Sequence, residues 1–138
     1  HATLLDTTIL LLQLKDRLEQ MAHKAGLGTR QRHVQGQFQV INRIAIEELE
    51  AWFFGDWEAV RAAYPKVDAS VPQRAGYRNP DAIKGGTWEA LERELQKKGY
   101  FKQGLRKLEL ARSVASHMDP ARNRSQSFCC LRDALAQI

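Results

Sequence analysis

Apolar residues recur at helical spacing through most of this chain, and the pattern changes character once. From about Thr8 to Ala25, Leu11, Leu14, Leu18 and Met21 fall on one helical stripe, and Gly26 supplies a C-terminal stop. Residues 26–37, with three glycines among Arg, Gln and Thr, read as an exposed loop. The run Phe38–Ile46 then reads as a buried strand leading into a short helix over roughly 47–54. Asp56 is a good N-cap for a helix carrying Trp57, Val60 and Tyr64 on one face and ended by Pro65. Residues 65–78 show no clear period. Asn79-Pro80 has the form of an N-cap followed by proline at the first helical position, closed by Gly85-Gly86. Trp88, Leu91 and Leu95 mark the next helix, up to Gly99. Leu105, Leu108, Ala111 and Ala115 mark another, to about Met118. Ser127 caps a last one with Phe128, Leu131 and Leu135 inside. Residues 2–5 read as the end of a strand. The sum is a mostly helical chain with one strand, whose neighbours must come from upstream strands or from a partner.

The stretch 42–56 stands out within that pattern. Glu47, Glu48 and Glu50 follow directly on the apolar run and are followed by Trp52, Phe53, Phe54 and Gly55-Asp56. Carboxylates at the end of an apolar strand are where α/β sheets place ligand and metal chemistry. The same residues also suit the first turn of an amphipathic helix, where acids meet the positive end of the dipole. Both readings stand.

Composition narrows the class. The chain has 138 residues, 43% apolar and 27% charged, in keeping with one soluble globular domain. The net charge is +5 and unevenly spread: residues 43–68 hold three basic against six acidic residues, and 102–138 seven basic against three acidic. An acidic pocket beside a basic surface suits metal-dependent work on a phosphate ester, and equally suits internal charge pairing. Cys129 and Cys130 are the only cysteines, which excludes a disulfide framework and a four-ligand zinc site. The four histidines are scattered. These features point to a reducing, cytoplasmic setting. Ile9–Leu12 is too short to span a membrane. A start at His1 rather than Met leads us to expect a piece of a larger protein.

A second block, residues 117–128, packs His117, Asp119, Asn123, Arg124, Ser125 and Ser127 between two helices. Arginine offers paired donors to phosphate, and serine at a helix start leaves N–H groups aimed at an anion. The plainer reading is a well-capped connection in which Asp119, Asn123 and Ser127 serve the backbone. No Gly-x-Ser-x-Gly elbow surrounds either serine, and Gly26-Leu-Gly28 and Gly85-Gly86 do not form a phosphate loop.

Three blocks taken together, Asn42–Pro65, Tyr77–Glu92 and His117–Phe128, resemble an uncharacterised bacterial family, domain of unknown function 4276, considered Toprim-like. The resemblance covers nearly all of the chain from Leu14 onward. It implies an α/β fold with a small, mainly parallel sheet, here incomplete. On that reading residues 1–138 form a single domain, the C-terminal two thirds of a Toprim-like protein lacking its first strand. It also implies Mg²⁺- or Mn²⁺-dependent action on nucleic acid phosphodiesters in bacterial defence or DNA processing, with an ATPase as partner. The family's Asp-x-Asp pattern is missing here; Leu5-Asp6-Thr7-Thr8 stands in its place.

On this resemblance Glu48 and Glu50 are the candidate catalytic residues and, with Asp6, the candidate metal ligands. His117, Arg124 and Ser125 are the candidate phosphate binders. The block holding them is expected to fold back toward Glu48 and Glu50, its arginines offsetting the repulsion among the glutamates. The competing expectation is a catalytically degenerate protein–protein interaction module. Its sign is the leucine-rich Ile9–Leu14 run, apolar on more than one side, which would pack on a partner or a second copy.

Overall fold

A computed structural model describes residues 4–44 and 48–137, with side chains from residue 9 onward. Six α-helices are present among these residues: α1 (Leu4–Lys24), α2 (Glu50–Gly55), α3 (Trp57–Ala63), α4 (Thr87–Gln96), α5 (Lys107–Ala115) and α6 (Gln126–Leu135). Single 3₁₀ turns cover Val71–Gln73 and Pro80–Ala82. No helix among the described residues is long and apolar enough to cross a membrane. The chain divides into two compact units, His1–Ile44 with Cys130–Ile138, and Ala45–Cys129.

The expected α/β fold with a parallel sheet is overturned. Among the described residues there is no strand, only the isolated bridges Thr29–Val40 and Val34–Gln37. Val40 N donates to Gly28 O (3.1 Å) and Val40 O accepts from Arg30 N (3.2 Å), so the apolar run pairs with the loop just before it. A sheet needs a second strand to continue its ladder, and the described chain offers none. Ala45, Ile46 and Glu47 lie outside the described residues, as do residues 2 and 3 of the other expected strand; Leu4 and Leu5 belong to α1.

In the unit of His1–Ile44 with Cys130–Ile138, α1 is longer than the periodicity suggested and its inward stripe is different. Lys15, Leu18 and Glu19 are half-buried and Ala22 is buried, while Leu11, Leu14 and Met21 are exposed. The following segment closes on itself through Val34–Gln37, and Asn42 Nδ2 donates to Glu19 Oε1 at 2.8 Å.

The unit Ala45–Cys129 holds the continuous core. Phe53, Phe54, Trp57, Val60, Val71, Leu91, Leu95, Leu110 and Val114 are all buried in it. Phe54 stacks on Trp57 at 5.3 Å and meets Tyr77 at 5.2 Å, while Tyr64 presents its ring to Tyr100 and Phe101. Helix α2 packs on α4, and α3 packs on α5. Asp56 caps α3 as expected, accepting from Ala59 N (3.3 Å), and Asn79 caps the Pro80 turn by accepting from Asp81 N (3.1 Å).

Two expected faces hold only in part: Leu105 and Ala111 pack against the core and Phe128 meets Trp52, but other members point elsewhere. On α5 the buried side chains are Leu110 and Val114, and Leu108 is 65% exposed. Leu105 precedes the helix, so a phase counted from it does not continue into α5. On α6 the cap is Ser125, whose Oγ accepts from Phe128 N (3.2 Å), not Ser127, and Leu135 is exposed where Ala134 is buried. Lys97 and Lys98, at the end of α4, pair with Glu94 (2.7 Å) and Asp68 (2.9 Å).

Candidate functional site

The acidic candidates take separate positions. Glu48 lies before α2 and reaches the start of α4: its Oε2 accepts from Thr87 Oγ1 (3.1 Å) and from Trp88 N (3.0 Å). It is thus a cap supplied from elsewhere in the chain, needed because Gly86 before α4 has no side chain to cap with. Glu50 opens α2 and is only 5% exposed; its cation is Lys107 Nζ at 4.0 Å, which also sits 4.7 Å over the Trp88 ring. The side chain of Asp6 lies outside the described residues; its backbone is in α1. Among the described residues no three His, Cys, Asp or Glu side chains group as metal ligands.

The 117–128 block docks on the C-terminal end of α2, on the Gly55-Asp56 junction. Asp56 is 1% exposed and anchors it. Its Oδ1 accepts from Arg122 Nε (2.7 Å), and its Oδ2 from Arg122 Nη2 (3.1 Å) and from Asp119 N (2.8 Å). The hydrogen bond to the Asp56 carboxylate holds the Arg122 guanidinium above its ordinary proton affinity. Asn123 Nδ2 donates to Trp52 O (2.9 Å), and Arg124 N donates to Gly55 O (2.9 Å). This approach is why position 55 is glycine. A Cβ there would lie 2.1 Å from Asn123 Oδ1 and 2.8 Å from Ser125 N.

Ser125 and Ser127 form the expected helix-start pocket for an anion, but its occupant is internal. Asp81 Oδ1 accepts from Ser125 Oγ (2.7 Å) and Ser127 Oγ (2.9 Å), and Asp81 Oδ2 accepts from Ser127 N (3.1 Å). Trp52 Nε1 donates to the same Ser127 Oγ (2.9 Å). Ser125 has no exposed surface, so an external phosphate would have to displace a carboxylate of the chain itself. His117 is exposed and contributes its carbonyl to Arg122 Nη2 (3.1 Å).

Arg124 goes elsewhere. Its side chain lines an open cleft of about 420 Å³ formed by Gly55, Asp56, Trp57, Glu58, Arg61, Ala69, Pro72, Gln73, Arg122 and Arg124. Of the three expected phosphate binders only Arg124 reaches it. Three arginines face two carboxylates there. Arg122 is the partner of both acids, bonding Asp56 and lying 3.2 Å from Glu58. Arg61 and Arg124, both exposed, make no ion pair among the described residues. Nor does Arg124 pair with Glu48 or Glu50, so the expectation that the block returns to those glutamates to offset their charge does not hold. The arginines serve the Asp56 end of α2 instead.

Sequence inspection marked Asp56 as a cap and Asn123 as a backbone partner, but missed Arg122, Arg61 and Asp81. The Asp56–Arg122 pair joins residues 66 positions apart, and no local spacing announces it. Asp81 carried a weak signal: an acid just inside the Asn79-Pro80 turn, where its carboxylate is held at a fixed height.

The model of one family, domain of unknown function (DUF4276), matches residues 2–136, and the chain belongs to that family. No curated protein and no solved structure matches the chain.

Proposed function

We propose that this member of the DUF4276 family binds the phosphate backbone of nucleic acid through the cleft at the α2–α3 junction. The supporting observation is the pair of exposed arginines, Arg61 and Arg124, on a wall whose carboxylates are already neutralised by Arg122. A bound phosphate there meets guanidinium donors without having to break an internal pair. The net charge of +5 favours the same partner. The reading concerns backbone contact, which carries affinity without sequence preference.

The test is a titration of a fluorescent 20-nucleotide single strand and its duplex across a range of salt concentrations. Binding should weaken as salt rises, and Arg61→Ala with Arg124→Ala should lower affinity at least tenfold and flatten the salt slope by about two units. Salt-independent binding, or a double variant that binds like the parent, overturns the reading.

Metal-dependent phosphodiester cleavage is a second reading, favoured by one observation: Glu50 is a buried carboxylate whose cation stands at 4.0 Å rather than in hydrogen-bond contact. Glu48 would have to leave Thr87 and Trp88 to join it. Mg²⁺ or Mn²⁺ added to the same titrations tests this. Cleavage abolished by Glu50→Gln would establish it, and intact substrate under both ions would dismiss it.

A further inference from the structure

The cleft at the α2–α3 junction holds a third guanidinium besides those of Arg61 and Arg124. Arg122 is fixed there along one edge. Its Nε and Nη2 bond the two oxygens of buried Asp56, and Nη2 also donates to His117 O at 3.1 Å. Its remaining nitrogen, Nη1, lies 3.2 Å from Glu58 Oε2. The Arg122 side chain is 36% exposed and that of Glu58 72%, and both line the cleft. A guanidinium locked along one edge keeps its other donors in a set position and loses little further freedom when a ligand arrives.

The grip on Nη1 is the weak one. Asp56 acts on Arg122 first through its hydrogen bond, Glu58 through charge. An ion pair with so exposed a partner contributes little, because water screens the attraction and the glutamate must give up rotamer freedom to hold it. Asp81 in the serine pocket is the opposite case. It accepts from two hydroxyls and a backbone N–H at 2.7 to 3.1 Å, one hydroxyl belonging to a serine with no exposed surface. Both carboxylates stand where a phosphate oxygen would otherwise bind. Only Glu58 can leave without opening a buried network. It projects from the first turn of α3, so its side chain can turn to solvent while the helix stays in place.

We propose that Glu58 is an internal competitor for the ligand of this cleft: a nucleic-acid phosphate displaces its carboxylate from Arg122 Nη1, and Arg122 then joins Arg61 and Arg124 in holding the phosphate. The proposal rests on the reading of the cleft as a phosphate site, which by itself needs only Arg61 and Arg124. Glu58 sets the affinity of that site rather than its existence. A neutral ligand gains nothing by pushing a carboxylate aside, so the same residue selects against neutral ligands.

The same fluorescent single strand is titrated against the whole chain and its variants at one fixed salt concentration. Glu58→Gln removes the competing charge and should tighten binding about fivefold. Glu58→Asp keeps the charge, and keeps an acid in the first turn of α3, but draws the carboxylate back from Nη1 by one methylene. It should tighten binding about threefold. This variant is the decisive one, since a general effect of charge would leave it binding like the parent. Asp16→Asn makes the same charge change as Glu58→Gln outside the cleft, and should shift binding by less than about twofold. Glu58 is exposed, so neither substitution at 58 removes a buried contact. If the parent binds and either Glu58 variant binds no more tightly, the proposal is overturned and the cleft reading stands. If neither the parent nor Glu58→Gln binds the strand, the cleft reading falls and the proposal with it. Binding by Glu58→Gln and Glu58→Asp where the parent shows none would support both.

Discussion

The unit Ala45–Cys129 and the segment His1–Ile44 solve the same problem in opposite ways. The first surrounds a continuous aromatic and aliphatic core with carboxylates that each have an assigned task. Asp56 anchors Arg122, Asp81 fills the serine pocket, Glu48 caps α4, and Glu94 ties Arg74 to Lys97. The second spends a 21-residue helix on a face that is largely open, with Ala22 and Thr29 as its buried side chains among the described residues. Apolar content does not separate them, for α1 is rich in leucine. What separates them is whether distant polar groups bind the apolar layer into place. Buried ionic anchors fix one arrangement because breaking them leaves an uncompensated charge. An apolar helix without such anchors is free to accept whatever covers it.

The contrast breaks most visibly at Asp56. Asp56→Ala should destabilise the Ala45–Cys129 unit by about 2–4 kcal/mol. The range sits below that of a fully buried pair because Arg122 is 36% exposed and water softens its loss. Amides of residues 119–125 should lose hydrogen-exchange protection before those of α4. Asp56→Asn keeps one acceptor oxygen, enough for Ala59 N or Asp119 N but not both, and should recover part of the loss. Full stability in the alanine variant would mean that the 117–128 block is held by Gly55 and Asn123 alone.

Glu94 sharpens the same point through pH. Burial pushes its carboxyl upward, but the Lys97 ammonium bonded to it, with Arg74 beside it, more than reverses this and holds it below the usual 4.5. A carboxyl depressed in the folded state adds stability that is complete above its unfolded value and is lost as pH falls through the folded one. Thermal midpoints should therefore drop as the pH is taken below about 4.5. Glu94→Gln should flatten that drop and lower stability at pH 7 by about 1–3 kcal/mol, since Arg74 loses a partner at 2.9 Å. Parallel pH curves for the two proteins would remove Glu94 from the account.

These anchors mark the boundary of what could be read from residues alone. The caps at Asp56 and Asn79 were legible because capping is local, one side chain meeting a backbone N–H a few residues on. The core faces of α3 and α4 were legible for a similar reason: Trp57 and Val60, with Tyr64 at the C-cap, then Leu91 and Leu95, repeat at helical spacing along their own helices. The apolar run at Phe38 was misread because a strand is defined by its neighbour, and periodicity contains no information about the neighbour. Leu108 was misread because Leu105, outside the helix, set the phase. In the candidate site, Ser125 and Ser127 were singled out as phosphate-facing groups and bond Asp81 instead, while Arg124 bonds through its backbone N–H. Their partners were not foreseeable, since Asp81 lies 44 residues from Ser125 and Gly55 lies far from Arg124 in sequence.

The smallest expected effect tests the open side of the comparison. Leu14 is 47% exposed on α1, whereas Leu91 on α4 has no exposed surface. Replacing an exposed leucine removes little area that folding had taken from water, so Leu14→Ser should shift stability by no more than about 0.5 kcal/mol, most of it the lower helix propensity of serine. A thermal melt with helix content followed by circular dichroism measures this directly. Such indifference would also license the reading of any binding defect in α1 variants as loss of contact rather than loss of fold. A cost of several kcal/mol would instead show that Leu14 is covered in solution, and α1 would then belong with the anchored part of the molecule.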